Sequence, residues 1–283
     1  MALCARYRKL SFMPKHKPAG RPPHSDSRPS PAPRPAARAT PKPPGESGNW
    51  LWGRHAVLAA LANPERKLLR LVATEEAAAE LAQTEHASRV QLLGKDELNR
   101  LLPPGAVHQG LALQAKPLAV PAVEDLIEGL GDRPDVVLVA LDQVTDPHNI
   151  GAIMRSAAAF GARALLLPER NTPEISGTLA KSASGAVEHL PLIRVINLNR
   201  TLDLLKESGF WIVGLDGEAE KRLSEHKLDG RICLVLGAEG DGLRRLTREA
   251  CDLMARLPTA GPIASLNVSN AAAIALYEIA RNR

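Results

Sequence analysis

The chain has 283 residues, of which 45% are hydrophobic, and it carries a formal net charge of +5 at pH 7. This length allows one or two domains with a sizeable buried core, and no apolar run approaches the roughly 18 residues that a membrane helix needs. Three cysteines without a CxxC pair and eight histidines without an HxH or HxxxH pair argue against a zinc site and favour a reducing, cytoplasmic compartment.

The first 48 residues contain ten Lys or Arg side chains and only two acids, which leaves residues 49–283 with 26 basic and 29 acidic side chains. Eleven of the 23 prolines also fall in this stretch. A proline-rich segment with so little apolar surface to bury predicts a disordered tail over residues 1–48. Three interpretations stay open: an electrostatic arm that attracts RNA, a solvated extension without a specific role, and an organelle transit peptide, against which the proline density argues.

Residues 49–117 predict a small unit in which helices and strands alternate. The apolar spacing predicts helices at 54–61, 75–86 and 95–102, and strands at 68–73, 89–93 and 111–114. Residues 118–134 then predict a linker that contains one short helix near 123–130.

Residues 135–283 predict a longer and more regular unit. Val136 to Leu141 is a continuous apolar run, which is typical of a strand buried on both faces of a parallel sheet. Further strands are predicted at 164–167, 192–195, 211–215, 232–236 and 254–257, with helices at 149–160, 175–184, 202–207 and 266–281. This alternation indicates a doubly wound α/β domain, in which ligands bind beyond the carboxyl ends of the strands.

The first segment of unusual composition runs from Leu141 to Arg155 and leads from a strand into a helix. Asn149 and Arg155 are six residues apart, or about 600° of helix rotation, so they meet only if Asn149 caps the helix and points back across it. An arginine on a mostly apolar helix indicates an anionic partner such as a phosphate. A structural salt bridge is the alternative for Arg155, and simple capping is the alternative for Asn149.

The second segment is the glycine-rich loop Gly237 to Gly242, and the third is the small-residue loop Leu257 to Ser269. Two such loops at neighbouring strand ends predict a nucleoside-sized ligand held by backbone groups. The order GxxGxG differs from the GxGxxG of nicotinamide-dependent oxidoreductases, which argues against that class. Glu239 in the second loop would pair with Arg155, contact substrate, or be a solvated turn acid.

Together these segments resemble the SpoU (TrmH-type) family of RNA 2′-O-ribose methyltransferases. The matching stretches are DPHNIGAIMRSAAAFGA, LVLGAEGDGLRR and LPTAGPIASLNVSNAAAI. The stretches WGRHAVLAAL and GAVHQGLAL are similar to the ribosomal-protein-L30e-like substrate-binding domain of one subgroup, which includes the enzyme that methylates a guanosine of bacterial 23S rRNA. The resemblance covers the whole chain except the proline-rich tail.

This resemblance implies an α/β fold with a SPOUT-type knotted, parallel-sheet catalytic domain at 135–283, preceded by a small L30e-like domain at 49–117. It implies a trefoil knot, S-adenosyl-L-methionine as the cofactor, 23S rRNA as the substrate, and a homodimer whose active site borrows residues across the interface. No membrane or metal partner is expected, because methyl transfer from a sulfonium leaves a neutral thioether.

The resemblance also assigns individual residues. The expected cofactor-binding residues are Gly237, Leu257 and Leu266, and the expected catalytic residues are Asn149, Arg155, Glu239, Ser265 and Asn267. A guanidinium is too basic to accept a proton near neutral pH. We therefore expect Arg155 to bind the adjacent phosphate and polarise the hydroxyl, with Glu239 holding the arginine and the two asparagines positioning Arg155 or the ribose.

Thr259 and Asn270 stand where many relatives have Met and Val, but neither change removes a proposed catalytic group, so activity is still expected. A tRNA 2′-O-methyltransferase and a non-catalytic RNA-binding ribosome-assembly protein remain alternatives. The L30e-like unit favours ribosomal RNA, and the presence of Arg155 and the loop glycines favours an enzyme. With only eight aromatic residues, recognition should depend on shape, phosphates and an extruded nucleotide.

Overall fold

The structure is a computed structural model that describes residues 49–170, 172–173, 175–261 and 265–283. The tail that the sequence predicts to be disordered, residues 1–48, lies outside the described residues. The described residues from 49 onward belong to one compact unit. None of the helices in the described ranges has the length and apolar character needed to span a bilayer.

The N-terminal part of this unit is built on a four-stranded mixed sheet with the strand order β1-β4-β2-β3. Its strands are β1 (Asn49–Trp52), β2 (Leu68–Ala73), β3 (Val90–Leu92) and β4 (Leu111–Ala115). Its helices are α1 (Arg54–Ala62), α2 (Glu75–Leu81) and α3 (Lys95–Leu101), with a short 3-10 turn at Ala87–Arg89. The predicted alternation of helices and strands is confirmed, and β1 is an addition to it.

The remainder carries a six-stranded sheet with the order β10-β8-β9-β5-β6-β7, in which every neighbouring pair is parallel. The strands are β5 (Val136–Leu141), β6 (Ala164–Pro168), β7 (Leu192–Val195), β8 (Trp211–Leu215), β9 (Arg231–Leu236) and β10 (Leu253–Ala255). The helices are α4 (Val123–Leu130), α5 (Pro147–Ala159), α6 (Gly177–Ala183), α7 (Leu198–Glu207), α8 (Arg245–Glu249) and α9 (Val268–Arg281), with 3-10 turns at Ala186–Glu188 and Leu223–Glu225.

The apolar run of β5 explains why this sheet lies between two layers of helices. All six of its residues are buried. Alternate side chains enter different cores: Val137, Val139 and Leu141 pack with α5, α6 and α9, and the other three pack with α4 and α7. The predicted parallel α/β domain is confirmed. The trefoil knot, the L30e-like topology and the domain bounds 49–117, 118–134 and 135–283 stay predictions.

A buried ion pair joins the part of the chain built on the four-stranded sheet to the part built on the six-stranded sheet. Arg66 binds the Glu188 carboxylate through two bonds, from Nε at 3.1 Å and from Nη2 at 2.6 Å. Only 5% of the arginine side chain and 1% of the glutamate side chain are exposed. Asn63 Nδ2 donates a further bond to Glu188 at 2.9 Å, and Arg66 Nη1 donates to the backbone O of Lys116 at 2.9 Å.

We expect Arg66→Ala to lower the free energy of unfolding by about 3–5 kcal/mol, because it leaves the Glu188 carboxylate buried without its cation. Urea denaturation at one fixed protein concentration measures the change. The matched control is the double variant Arg66→Met with Glu188→Leu, which removes both charges and should recover most of the loss. A single variant as stable as the wild type would show that the pair is solvated in solution.

Candidate functional site

The loops of the candidate site begin at the carboxyl ends of three neighbouring strands. Leu141 of β5 pairs with Leu236 of β9, and Leu236 pairs with Leu215 of β8. The loops that follow these residues therefore begin side by side at one edge of the sheet, as expected for a parallel α/β fold. Two of them are loops that the sequence predicts to be functional.

The loops after β8 and β9, together with the segment after β10, line a cavity of about 440 Å³. Its size lies within the range of about 300–1,000 Å³ typical of small-molecule sites. All three predicted cofactor-binding residues line it, as do two of the predicted catalytic residues; these are Gly237, Leu257, Leu266, Glu239 and Ser265. Thr259 lines the same cavity.

The glycine-rich loop is closed on itself by two backbone hydrogen bonds. Ala238 N donates to Gly242 O, and Gly242 N donates to Ala238 O, both at 3.1 Å. Gly240 and Gly242 have φ values of 89° and 66°, a conformation that favours glycine. At Gly237 the constraint is space, because a Cβ there would overlap the backbone C and O of Gly242 and the backbone N of Leu243.

Glu239 connects two asparagines at the cavity. Its Oε1 accepts hydrogen bonds from Nδ2 of Asn149 at 3.2 Å, from Nδ2 of Asn267, and from the backbone N–H of Val268 at 3.3 Å. Nδ2 of Asn267 also donates to Oδ1 of Asn149 at 3.0 Å. Residues from three separate segments, up to 118 positions apart in sequence, thus form one polar cluster.

Asn267 is also the N-cap of α9, as the capping preference of asparagine predicts. Its Oδ1 accepts from the backbone N of Ser269 at 2.9 Å and of Asn270 at 3.4 Å. Its amide nitrogen is left to face the cluster, so one side chain both begins the helix and contributes to the site. The Asn270 side chain is exposed in the first turn of α9.

Asn149 does not cap the helix, which was one of the two interpretations of its position. Asp146 is the N-cap of α5, and its side chain accepts from the backbone N of His148 at 2.9 Å. Pro147 occupies the first helical position, which its fixed φ favours, and so the helix begins two residues earlier than the sequence pattern predicts. Asn149 consequently lies in the first turn, where its side chain still reaches Glu239.

The predicted contact between Glu239 and Arg155 is also not made. The six-residue separation turns Arg155 away from Asn149. The Arg155 side chain is exposed, and within the described part of the chain it has no hydrogen bond or ion pair. Glu239 holds the two asparagines instead. Arg155 is therefore separate from the cluster within one chain.

Two features of the site were not predicted from the sequence. Asp216, Gly217 and Glu218 follow β8 and line the cavity, and their place after a buried strand was the available signal. Asp142, fully buried at the end of β5, accepts hydrogen bonds from the backbone N of Arg244 at 3.0 Å and from its Nε at 2.7 Å. This carboxylate fixes the segment that follows the glycine-rich loop.

The two cysteines in the described part of the chain do not provide a nucleophile to this region. Burial raises the pKa of Cys251 to about 12, and burial also raises the pKa of Cys233 well above its ordinary value. Both thiols therefore stay protonated at neutral pH. Within the described residues, no group of three or more His, Cys, Asp or Glu side chains could hold a metal ion.

Comparisons with known proteins identify the family. The model of the SpoU rRNA Methylase family matches residues 136–277, and the model of RNA 2′-O ribose methyltransferase substrate binding matches residues 50–121. The chain belongs to the SpoU rRNA methylase family. The two matches together cover most of the residues that the structure describes, and the first contains the whole polar cluster of Asn149, Glu239 and Asn267.

Curated relatives of this SpoU methylase include the 23S rRNA (guanosine-2′-O-)-methyltransferase RlmB of Pseudomonas aeruginosa. It is 42% identical over 247 residues, which cover 82% of this chain and 96% of the relative. RlmB of Escherichia coli is 48% identical over 179 residues, covering 63% of this chain and 74% of the relative. Among solved structures, the SpoU methyltransferase AviRb from Streptomyces viridochromogenes, in complex with AdoMet, matches with a TM-score of 0.67 and 25% identity over 82% of this chain and 89% of AviRb.

The cavity of this SpoU methylase fits S-adenosylmethionine, whose sulfonium and ammonium groups outweigh its one carboxylate. Four carboxylates line it, from Asp216, Glu218, Glu239 and Asp241, against the single guanidinium of Arg248. An excess of acid favours a cationic ligand. A Cβ at Gly237 would overlap the backbone of Gly242 and Leu243, so the loop takes this closed shape only with glycine at that position.

Proposed function

We propose that this chain transfers a methyl group from S-adenosylmethionine to the ribose 2′-hydroxyl of a guanosine in 23S rRNA. The observation that carries the proposal is the polar cluster of Asn149, Glu239 and Asn267 at an acidic cavity lined by Gly237 and Leu257. Family membership and the RlmB relatives support the choice of ribosomal RNA. A ribosomal RNA substrate also supports a cytoplasmic location.

In this proposal the cofactor supplies an electrophilic methyl group on a sulfonium, and the chain supplies position. Asn267 Nδ2 donates two bonds within the cluster, whereas Asn149 Nδ2 donates one. One N–H of Asn149 therefore remains to donate to a ribose oxygen. Holding the hydroxyl in line with the methyl group supplies much of the rate enhancement, because it removes the entropic cost of bringing the two together.

Arg155 is the remaining proposed catalytic residue. Its planar guanidinium would bind the phosphate next to the target ribose through two bonds and polarise the hydroxyl, whose proton is lost to solvent water because a guanidinium cannot accept it. Its exposure and its lack of a partner among the described side chains suit a group that binds RNA rather than one that stabilises the fold. Ser265, which lines the cavity, is proposed to contact the cofactor or the ribose.

We also propose that the enzyme is a homodimer, with Arg155 acting in the site of the partner chain. The separation of Arg155 from the cluster within one chain supports this arrangement. On helix α9, Ile274 is 45% exposed and Tyr277 is 55% exposed. The Tyr277 ring lies edge-to-face on the ring of Phe160, at the end of α5, with 6.1 Å between the ring centroids. Exposed apolar side chains grouped in this way favour a protein interface. Sedimentation should give the mass of two chains of 30.3 kDa.

We expect Glu239→Ala to lower kcat by about 100-fold while the fold is kept, because both asparagines lose their common acceptor and a small misplacement of reacting groups has a large effect on rate. Glu239→Gln is the matched control, since its amide oxygen can accept the same bonds and should preserve more activity. Steady-state kinetics and circular dichroism measure the two effects. If Glu239→Ala is as active as the wild type, the polar cluster has no part in the mechanism.

The substrate is tested by incubating the purified chain with radiolabelled S-adenosylmethionine and, separately, unmodified 23S rRNA, 16S rRNA and bulk tRNA. The proposal expects incorporation into 23S rRNA alone. Incorporation only into tRNA would contradict the substrate and keep the chemistry. Binding of RNA without incorporation into any of the three would favour the non-catalytic assembly protein.

A further inference from the structure

The turn between α3 and β4 has a strained backbone. Gln109 has a φ of 52°, and it is one of three non-glycine residues with positive φ in the described part of the chain. It is followed by Gly110 with a φ of 77°. A non-glycine residue holds this conformation only when its surroundings fix it, and such residues cluster at ligand sites.

Hydrogen bonds fix each of four consecutive residues of this turn, 107–110. They are Lys181 Nζ to Val107 O (2.8 Å), Gly110 N to His108 Nδ1 (3.0 Å), Arg54 N to Gln109 Oε1 (3.1 Å) and Thr74 N to Gly110 O (2.8 Å). Gly110 also packs so closely on Thr74 that a Cβ would come within 2.5 Å of the Thr74 hydroxyl. The turn is thus preorganised before any ligand binds.

A second cavity, of about 570 Å³, lies against this turn and is large enough for a small ligand or an inserted group. Its charged lining is balanced, with Arg54 and Lys95 on one hand and Glu76 and Glu80 on the other. Balanced charge disfavours both a phosphate and a metal cation. A neutral, polar ligand fits it better.

The amide groups that line the cavity have fixed orientations. Gly110 N–H donates to Nδ1 of His108, so the neutral ring carries its proton on Nε2 and donates it to Oδ1 of Asn99 at 3.1 Å. Burial, with the nearby charges of Lys95 and Lys181, lowers the pKa of His108 and maintains this neutral form.

Asn99 and Gln109 therefore have their amide oxygens engaged, the first by His108 and the second by Arg54 N. Their amide nitrogens donate no hydrogen bond within the described residues. Both side chains line the cavity, so it presents two carboxamide donors to a ligand. The complementary ligand is neutral and offers two acceptors.

We propose that this cavity receives an unpaired guanine of the RNA substrate, with Nδ2 of Asn99 donating to N7 and Nε2 of Gln109 donating to O6. This inference rests on the proposed function. A guanine presents those two acceptors on one edge, and RNA is read mainly through bases that leave the helix. Val107, whose side chain is 61% exposed at the rim, offers an apolar surface to the base.

Helix α6 connects this cavity to the candidate active site. Lys181 binds the turn at Val107, and the next residue, Ser182, has its Oγ 3.1 Å from Nδ1 of His148. His148 is adjacent in sequence to Asn149 of the polar cluster. Neighbouring residues of one helix therefore link the cavity to the segment that carries Asn149.

The test compares KM and kcat on two 23S rRNA transcripts, one normal and one in which 7-deazaguanosine replaces guanosine and so removes N7. We expect Asn99→Ala to raise KM for normal RNA about 3- to 10-fold with kcat unchanged, as loss of one hydrogen bond predicts. The modified transcript should raise KM of the wild type similarly, and should have no further effect on Asn99→Ala, because both changes remove the same contact.

Lys95→Ala is the matched control on the same rim. If Lys95 contacts only phosphate, its loss should weaken binding to both transcripts equally and reduce the slope of log affinity against log salt by about 1. Asn99→Ala should leave that slope unchanged. Circular dichroism and affinity for S-adenosylmethionine should be unaltered in both variants, since Asn99 is exposed and outside the cofactor cavity.

The inference would be overturned if Asn99→Ala had the same KM for normal RNA as the wild type. It would also be overturned if the modified transcript raised the KM of Asn99→Ala by the same factor as that of the wild type. If the wild type methylates neither transcript, the proposed function fails, and the cavity is then judged by filter binding of the same two RNAs. Coupling between Asn99 and N7 in that assay supports base recognition, and its absence contradicts it.

Discussion

Arg155→Ala should lower kcat by about 100- to 1,000-fold, which is the effect of removing one preorganised electrostatic group from a transition state. The affinity for S-adenosylmethionine should not change, because Arg155 does not line the cofactor cavity. Single-turnover kinetics and calorimetry measure the two quantities. Arg163→Ala is the matched control. Arg163 is also exposed, but it precedes β6 and so lies at the amino ends of the strands, away from the site at their carboxyl ends.

Mixing two inactive variants tests whether Arg155 acts across a dimer interface. In a heterodimer of Arg155→Ala with Asn149→Ala, one of the two sites would receive intact residues from both chains if they act in trans. Random exchange of subunits should then restore about a quarter of the wild-type activity. No recovery after complete exchange would place Arg155 and Asn149 in the same chain's site and contradict the arrangement proposed here.

Gly237→Ala should weaken cofactor binding and lower methyl transfer about 100-fold. The added Cβ overlaps backbone atoms of Gly242 and Leu243, which no side-chain rotation can relieve, so the glycine-rich loop must move. The loop lines the cofactor cavity, and a displaced loop no longer matches the ligand. Isothermal titration calorimetry with S-adenosylmethionine measures the loss directly.

Gly129→Ala is the matched control for this loop variant. Gly129 lies within α4, and a Cβ there meets no atom within 4 Å. This variant should bind the cofactor normally and be about as stable as the wild type or slightly more so, since alanine favours the helix. Normal cofactor affinity of Gly237→Ala, with a normal unfolding midpoint, would mean that the glycine-rich loop is not part of the cofactor site.

The parallel sheet could be predicted because its strands are short, apolar and bounded by turn residues. The predicted bounds of β5, β7 and β8 agree with the structure, as does α4. β1 was missed because four residues beside a proline-rich tail carry little pattern, and its strand conformation depends on pairing with β4. The helix predicted at 75–86 ends at Leu81, and further along the chain His86 contacts the backbone O of Leu61.

The site was predictable in composition but not in its contacts. Gly237, Leu257 and Leu266 stand in loops whose small residues indicate a ligand, and the structure brings them to one cavity. Within one chain Glu239 does not pair with Arg155, because charge complementarity in a sequence does not show which face of α5 an arginine occupies. Asn149 and Asn267 both donate hydrogen bonds to the Glu239 carboxylate, in the place where the sequence predicts Arg155.

The most direct test of the central claim is nucleoside mass spectrometry of unmodified 23S rRNA after incubation with the chain and S-adenosylmethionine. The account predicts one new 2′-O-methylguanosine per 23S rRNA molecule, absent with Arg155→Ala and present with Arg163→Ala. A methyl group found on a base, or no new methylated nucleoside from a chain that binds the cofactor, would contradict it.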